Sequence, residues 1–185
     1  TIWAAASQAV RTPSRIDRDF AAFLAPGLAL IKGDSNFVSE TVTAYELGWR
    51  VQPLKVLSIS VSSFYNIYDN LRSAEPGPIP PFNIPITFGN GVEGNSYGIE
   101  LSVINQLTSW WTLKGGYTFF KKNLSLKPES EDANKATAES DDPQHQLVIQ
   151  SNVQLPAHFE IGTVVRYIDK LPKPYVPAYF GLDMR

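Results

Sequence analysis

The feature that most limits what this chain can fold into is a two-residue alternation sustained over long segments. In TAYELGWRV, Thr43, Tyr45, Leu47, Trp49 and Val51 fall on one side, and Ala44, Glu46, Gly48 and Arg50 on the other. LSISVSSFYNIY sets Leu57, Ile59, Val61, Tyr65 and Ile67 against Ser58, Ser60, Ser62 and Asn66. YGIELSV sets Tyr97, Ile99, Leu101 and Val103 against Gly98, Glu100 and Ser102, and WTLKGGYTFF sets Trp111, Leu113, Tyr117 and Phe119 against Thr112, Lys114 and Thr118. TIWAAAS, QLVIQSNVQ, FEIGTVVRY and AYFGLDMR extend the series, more weakly where Val148 and Val164 join the polar side. Period two belongs to β-strands with unlike faces, so the chain is expected to be all-β, with about eight strands long enough to cross a bilayer.

The links between these segments alternate in length. Short ones fall at Gln52 to Leu54, Gln106 to Ser109 and Pro156 to Ala157; long ones run from Ala9 to Phe37, Asp69 to Asn95 and Lys121 to Gln144, with a medium one from Asp169 to Pro177. That order suits an antiparallel meander with tight turns at one end and long loops at the other, as in outer-membrane barrels. Pro76, Pro78, Pro80, Pro81 and Pro85 favour stiff extended backbone in the second long loop. The Glu-, Asp-, Lys- and Ser-rich third loop is expected to be mobile.

The polar face is expected to be the inside on three grounds, the directional loop asymmetry, the placement of aromatics and the strand length, whereas segregation of charge alone also fits a soluble sheet. Apolar positions of the alternating segments carry no charge, whereas Glu46, Arg50, Glu100, Lys114, Glu160, Arg166 and Asp183 share the other face. Aromatics crowd the ends of the apolar face at Tyr45, Trp49, Tyr97, Trp111, Phe119, Phe159 and Tyr167, as interfacial girdles do. The segments span about 9 to 13 residues, against about 5 to 6 in soluble sheets. A soluble sandwich with its apolar face on a core remains the competing reading.

Composition removes other classes. The 185 residues are 43% hydrophobic and 18% charged with a net charge of -2, which fits neither a disordered tail nor a basic nucleic-acid-binding domain. Cysteine is absent and there are two histidines, His145 and His158, so no metal site or cofactor is expected. The only methionine is Met184, which marks the chain as a processed product or a piece of a longer one.

The runs SQAVRTPSR, SETVTAYELGWR, SFYNIYDNLRS, FGNGVEGNSYGIELSV, WWTLKGGYTFF, DDPQHQ and VPAYFGLDMR resemble, in order and spacing, the later strands of TonB-dependent outer-membrane receptors. The resemblance covers essentially the whole chain. It implies an antiparallel transmembrane β-barrel of about 22 strands, closed by a separate plug, in the outer membrane of a Gram-negative bacterium. About eight of those strands are represented, with no plug, no energy-coupling segment and no terminal aromatic strand, so residues 1–185 read as a partial receptor barrel domain. Implied partners are the plug of the same receptor, the TonB complex acting through it, outer-membrane lipid and an extracellular ligand such as a metal chelate, with no nucleic acid.

Candidate lumen residues facing ligand or plug are Arg11, Arg15, Glu46, Arg50, Glu100, Lys114, Glu160, Arg166 and Asp183. Arg11 resembles the family's arginine where strand passes to the first long loop, and pairing to a neighbouring carboxylate is the favoured reading for it. Glu46 with Arg50 and Glu160 with Arg166 read as an inter-strand charge ladder in a wet lumen and not as catalytic acid–base pairs. Gly89, Gly91 and Gly94 precede a strand, which rules out a phosphate loop; Gly89 and Gly91 are assigned to turn geometry. Asp141, Asp142 and His145 match no calcium-loop spacing. No residue is assigned a catalytic role.

The expected function is therefore import of a scarce nutrient, an iron-siderophore, cobalamin or similar, with TonB-coupled energy. A complete eight-stranded barrel with a structural or adhesive role would require the first and last strands to pair. A soluble ligand-binding β-domain would require Leu47, Ile99 and Leu113 to lie under a second layer.

Overall fold

The computed structural model describes residues 1–77, 85–137, 142–171 and 175–185. Eight strands form the path of one antiparallel sheet: β1 (Ile2–Arg11), β4 (Glu40–Leu54), β5 (Leu57–Glu75), β6 (Ile86–Thr108), β7 (Trp111–Leu126), β8 (His145–Gln154), β9 (Glu160–Ile168) and β10 (Tyr179–Met184), in that order across the sheet. They are the eight alternating segments of the sequence. Between β1 and β4 the chain adds a single-turn helix, α1 (Arg15–Arg18), and a hairpin of β2 (Ala21–Ala25) and β3 (Leu28–Lys32). The link expected from Ala9 to Phe37 thus carries secondary structure of its own. β3 also pairs in parallel with β6, Ile31 beside Ile86 and Lys32 beside Thr87.

Paired residues of an antiparallel ladder share a face. The row Trp3, Gly48, Ser62, Glu100, Thr118, Gln146, Ile168 follows from the register of seven strands. Six of its residues, with Arg50, Ser60 and Arg166, line one trough. Residues from β1 to β9 reach a common space only if the sheet curls with this polar face inward. The opposite face is uncovered: Leu47 is 55% and Ile99 48% exposed. Among the described residues no second layer packs there, as the soluble β-domain would require. β1 and β10 are the two ends of the strand order and do not pair with each other, which overturns a complete eight-stranded barrel.

The wall has almost no core of its own. Among the described residues the buried hydrophobics are Phe37, Val92 and Ala136, all near the loop end, where buried Asp17, Ser73 and Asp132 also lie. On the curled face, ring systems cover glycines. A Cβ on Gly48 would sit 2.1 Å from the Trp3 indole, and one on Gly98 would meet Phe64 at 2.6 Å. Phe64 and Phe120 flank Gly98 with centroids 6.1 Å apart. Missing side chains on these strands thus make room for aromatic packing that stiffens a single-layer sheet.

On the outer face Tyr45, Tyr65 and Tyr97 stand in register on three adjacent strands. Tyr97, Phe119 and His145 continue the belt, with ring centroids 6.4 and 5.3 Å apart, and the Tyr117 hydroxyl lies 2.8 Å from His145 Nδ1. Trp111 sits towards the short-turn end, its indole N–H donating to Ser151 Oγ at 2.9 Å. Amphipathic rings at both borders of an apolar band are what a bilayer interface selects.

The strands outrun the apolar band at the loop end. The expected loop from Asp69 to Asn95 is largely an extended β5–β6 ribbon, bent by a bulge at Asn70, whose φ of 59° lies in the left-handed region Asn tolerates. Gly89 and Gly91 are therefore strand residues and not turn residues: a Cβ on Gly91 would strike Ser130 Oγ at 2.3 Å and Glu75 Oε1 at 2.5 Å. Residues 127–137, expected to be mobile, are pinned on this ribbon. Ser130 donates to Glu75 at 2.7 Å, Glu131 N–H to Glu75 at 2.8 Å and Lys127 to Asn70 at 2.6 Å. Pro78, Pro80 and Pro81, for which stiff extended backbone was expected, lie outside the described residues.

The facing predicts an asymmetry between neighbours. Leu47→Arg should cost the intact receptor about 2–4 kcal/mol in lipid vesicles if Leu47 lies near the bilayer midplane, whereas Glu46→Gln should be near neutral. Urea unfolding of both variants tests this, and the reverse order would turn the wall inside out.

Candidate functional site

Two regions carry the polar chemistry: the inward face of the wall and a charged clasp at the loop-end rim. On the inward face Glu46 stands opposite Ala5 and Phe64, Arg50 opposite Ser60, and Glu100 between Ser62 and Thr118. Lys114 stands between Ile104 and Gln150, and Arg166 between Val148 and Gly181. The expected charge ladder is not what forms. Neither Glu46 with Arg50 nor Glu160 with Arg166 makes an ion pair among the described residues; Arg166 binds Asp183 instead, and Glu160 accepts from Gln154 at 3.4 Å. Residues four or six apart on one strand are spread along it, and the strand alternation sets neutral residues directly opposite each charge.

The inward face is therefore a field of separated charges among hydroxyls and amides. Lys114 lies in a second trough with Gln106, Thr112, Gln150, Asn152 and Gln154. Ser62 donates to Glu100 at 3.4 Å, and Asn66 and Tyr68 both reach the buried Ser96 hydroxyl, at 3.1 and 3.0 Å. Such a surface suits water and a polar partner.

The rim clasp centres on Asp17, whose side chain is fully buried. Ser14 caps α1: its backbone N–H and its hydroxyl each donate to Asp17 Oδ2 at 2.8 Å, and Asp17 N–H donates back to Ser14 Oγ at 3.3 Å. Arg11 from β1 reaches Asp17 at 3.2 Å and clamps Glu40 with two bonds, 2.5 and 2.8 Å. Arg72 from β5 approaches Asp17 at 3.5 Å, and its backbone N–H donates to Glu40 at 2.8 Å. Asp17 thus joins the excursion to two wall strands. Burial alone would push its carboxyl up, but the Ser14 hydrogen bonds and the two guanidinium charges hold it below the usual carboxylate range.

Of the residues singled out in sequence, Arg11 is in this clasp, whereas Arg15 lies on α1, 94% exposed and paired with Asp19 at 3.6 Å. Asp17, Glu40 and Arg72 were not singled out. The Ser14-x-x-Asp17 capping spacing was readable, but their convergence was not, because Arg11 and Arg72 are 61 positions apart in the chain. Of the cation ligands weighed, Asp142 pairs with Lys122 at 2.7 Å and His145 with Tyr117, and Asp141 lies outside the described residues.

A family described as "TonB dependent receptor-like, beta-barrel" matches residues 1–183. The chain belongs to the TonB-dependent receptor family. Solved structures agree on the fold. A variant of the ferric enterobactin receptor PfeA from Pseudomonas aeruginosa superposes with a TM-score of 0.75 at 16% identity, covering 99% of this chain and 29% of that one. The siderophore receptor PirA from the same organism gives 0.70 at 15%, covering 99% and 32%. The ferric yersiniabactin uptake receptor FyuA from Yersinia pestis gives 0.67 at 14%, covering 99% and 26%. No curated protein matches the chain significantly. The chain spans between about a quarter and a third of the length of these receptors.

By membership of this family the chain is wall of an outer-membrane barrel of a Gram-negative bacterium, with one apolar and one polar face.

Acid should open the clasp. A carboxyl held below its unfolded value contributes stability that is complete above that value, about pH 4, and is lost as pH falls through the folded one. Hydrogen-exchange protection over residues 12–39 of the intact receptor, taken relative to the intrinsic exchange rate at each pH, should therefore be high and constant near neutral pH and fall below about pH 4. Asp17→Asn should exchange fast at neutral pH, and equal protection in the variant would show that the clasp holds nothing.

Proposed function

We propose that residues 1–185 are part of the barrel domain of an active importer that captures a scarce nutrient outside the cell and moves it inward with energy delivered through TonB. The observation that supports this best is the inward face of a wall belonging to the TonB-dependent receptor family. Its charges Glu46, Arg50, Glu100 and Lys114 are not neutralised by ion pairs within the described sheet. A lumen wall of this kind suits hydrated contact with a plug domain of the same receptor. Lipid contacts the opposite face.

Within that reading, Arg11, Glu46, Arg50, Glu100, Lys114, Glu160, Arg166 and Asp183 are the wall residues that meet plug, water or passing cargo. The cargo class we infer is a metal chelate, in keeping with solved relatives named for siderophore and ferric-chelate uptake.

Uptake of radiolabelled ferric chelates by cells expressing the intact receptor tests the proposal. Accumulation should require both the receptor and a working TonB system, and should stop when the proton gradient is collapsed. Receptor-dependent entry that persists without TonB would make the barrel a passive pore.

A further inference from the structure

At the loop end β4 pairs with β5 no further than Asp69, and β7 with β6 no further than Val92, so β5 and β6 continue as a two-stranded ribbon. A lone pair of strands is marginally stable in water. The ribbon therefore depends on what lies along its sides. Two stretches far apart in sequence, residues 12–40 and 127–137, flank it, and each holds both of its strands. The first accepts the Arg72 N–H of β5 on Glu40 at 2.8 Å and pairs β3 with β6 at Ile31 and Lys32. The second accepts the Ala74 N–H of β5 on Asp132 at 2.7 Å and donates the Lys127 N–H to the Gly91 carbonyl of β6 at 2.9 Å. Arg72 and Ala74 are two residues apart, so the two carboxylates hold successive N–H groups on one side of one strand.

Two side chains carry contact from one stretch to the other. Arg72 reaches the buried Asp17 at 3.5 Å, while its guanidinium lies 5.1 Å from the ring centroid of Phe88, the residue paired with Ala74. Asn90 accepts the Val38 N–H at 2.8 Å and donates to the Val38 carbonyl at 3.1 Å and to the Asn70 carbonyl at 2.6 Å. The side chain of the same Asn70 accepts from Lys127 Nζ at 2.6 Å.

We propose that residues 12–40 and 127–137 form one cooperative unit at the rim, in which release of either stretch loosens the ribbon and with it the other stretch. The ribbon is the element with two states: flanked by both stretches it stays paired, and with one of them gone its end frays. Both stretches bias that one equilibrium, so the coupling between them is reciprocal. Arg72 and Asn90 are positioning residues that join the two. A movement of either loop is thereby passed to its neighbour. The coupling stands on the fold alone, whatever the barrel carries.

Hydrogen exchange of the intact receptor in lipid vesicles at neutral pH tests this, with protection expressed relative to the β7–β8 ladder, residues 111–119 and 145–153. Asp17→Asn should lower protection over 127–137 about fivefold or more, although the side-chain partners of Asp17 are Ser14, Arg11 and Arg72. Asp132→Asn, made separately, should lower protection over 12–40 to a similar degree. In the double variant the losses should fall short of the product of the single ones, because the second substitution acts on a ribbon already frayed. Asn90→Ala leaves every carboxylate in place and should also lower protection over 127–137. Losses confined to the substituted stretch, or multiplying in the double variant, overturn the inference. So does an equal loss over the β7–β8 ladder, which would make the two carboxylates supports of the whole wall and not members of a separate unit.

Discussion

Lipid cannot hydrogen-bond to a peptide group, and the architecture follows from that constraint. Each wall strand must give its N–H and C=O groups to neighbours along its full length, which is why the ladders of β4 to β8 run almost without interruption through the apolar band. The same rule asks for partners along β1 and β10, which closure of the barrel supplies in this family. It also explains why a sheet with almost no buried hydrophobic side chains is a sound structure: its apolar side chains are solvated by acyl chains, and its cohesion comes from the ladder and from rings laid over Gly48 and Gly98.

Beyond the membrane the constraint changes sign. Water can satisfy a strand edge there, but an open edge is also a template for unwanted pairing. The β5–β6 ribbon projects past the end of β4, and its free edge is closed by carboxylates: Glu40 takes the N–H of Arg72 and Asp132 takes the N–H of Ala74 at 2.7 Å. Ala133 adds a backbone bond to Ala74 at 2.9 Å. Two excursions distant in sequence thus become lateral caps for one ribbon. The rim acquires the buried core that the wall lacks.

How much of this was legible follows from the range of the interactions involved. The eight wall strands and the shared face of Tyr45, Leu47 and Trp49 are written in alternation and spacing, because a strand's two environments act on every second residue. The resemblance to the receptor family rested on the same local segments. The pairing of the lumen charges was not legible. Glu160 and Arg166 look like partners six residues apart, but strand geometry separates them and presents Arg166 to Asp183 on the next strand.

The amino-acid order alone established an all-β wall with one apolar and one polar side, since period-two patterning is a local record of the two environments that alternate along a strand. Three-dimensional packing settled what lies at the rim. The β2–β3 hairpin leaves no periodic trace because its exposed apolar residues do not alternate between two solvents. The Asp17 clasp depends on Arg11, Glu40 and Arg72 converging from three strands, and a bulge at Asn70 re-aims the last of these. Register, curl and bulge are properties of the paired sheet, so the contacts they create become visible only once the strands lie side by side.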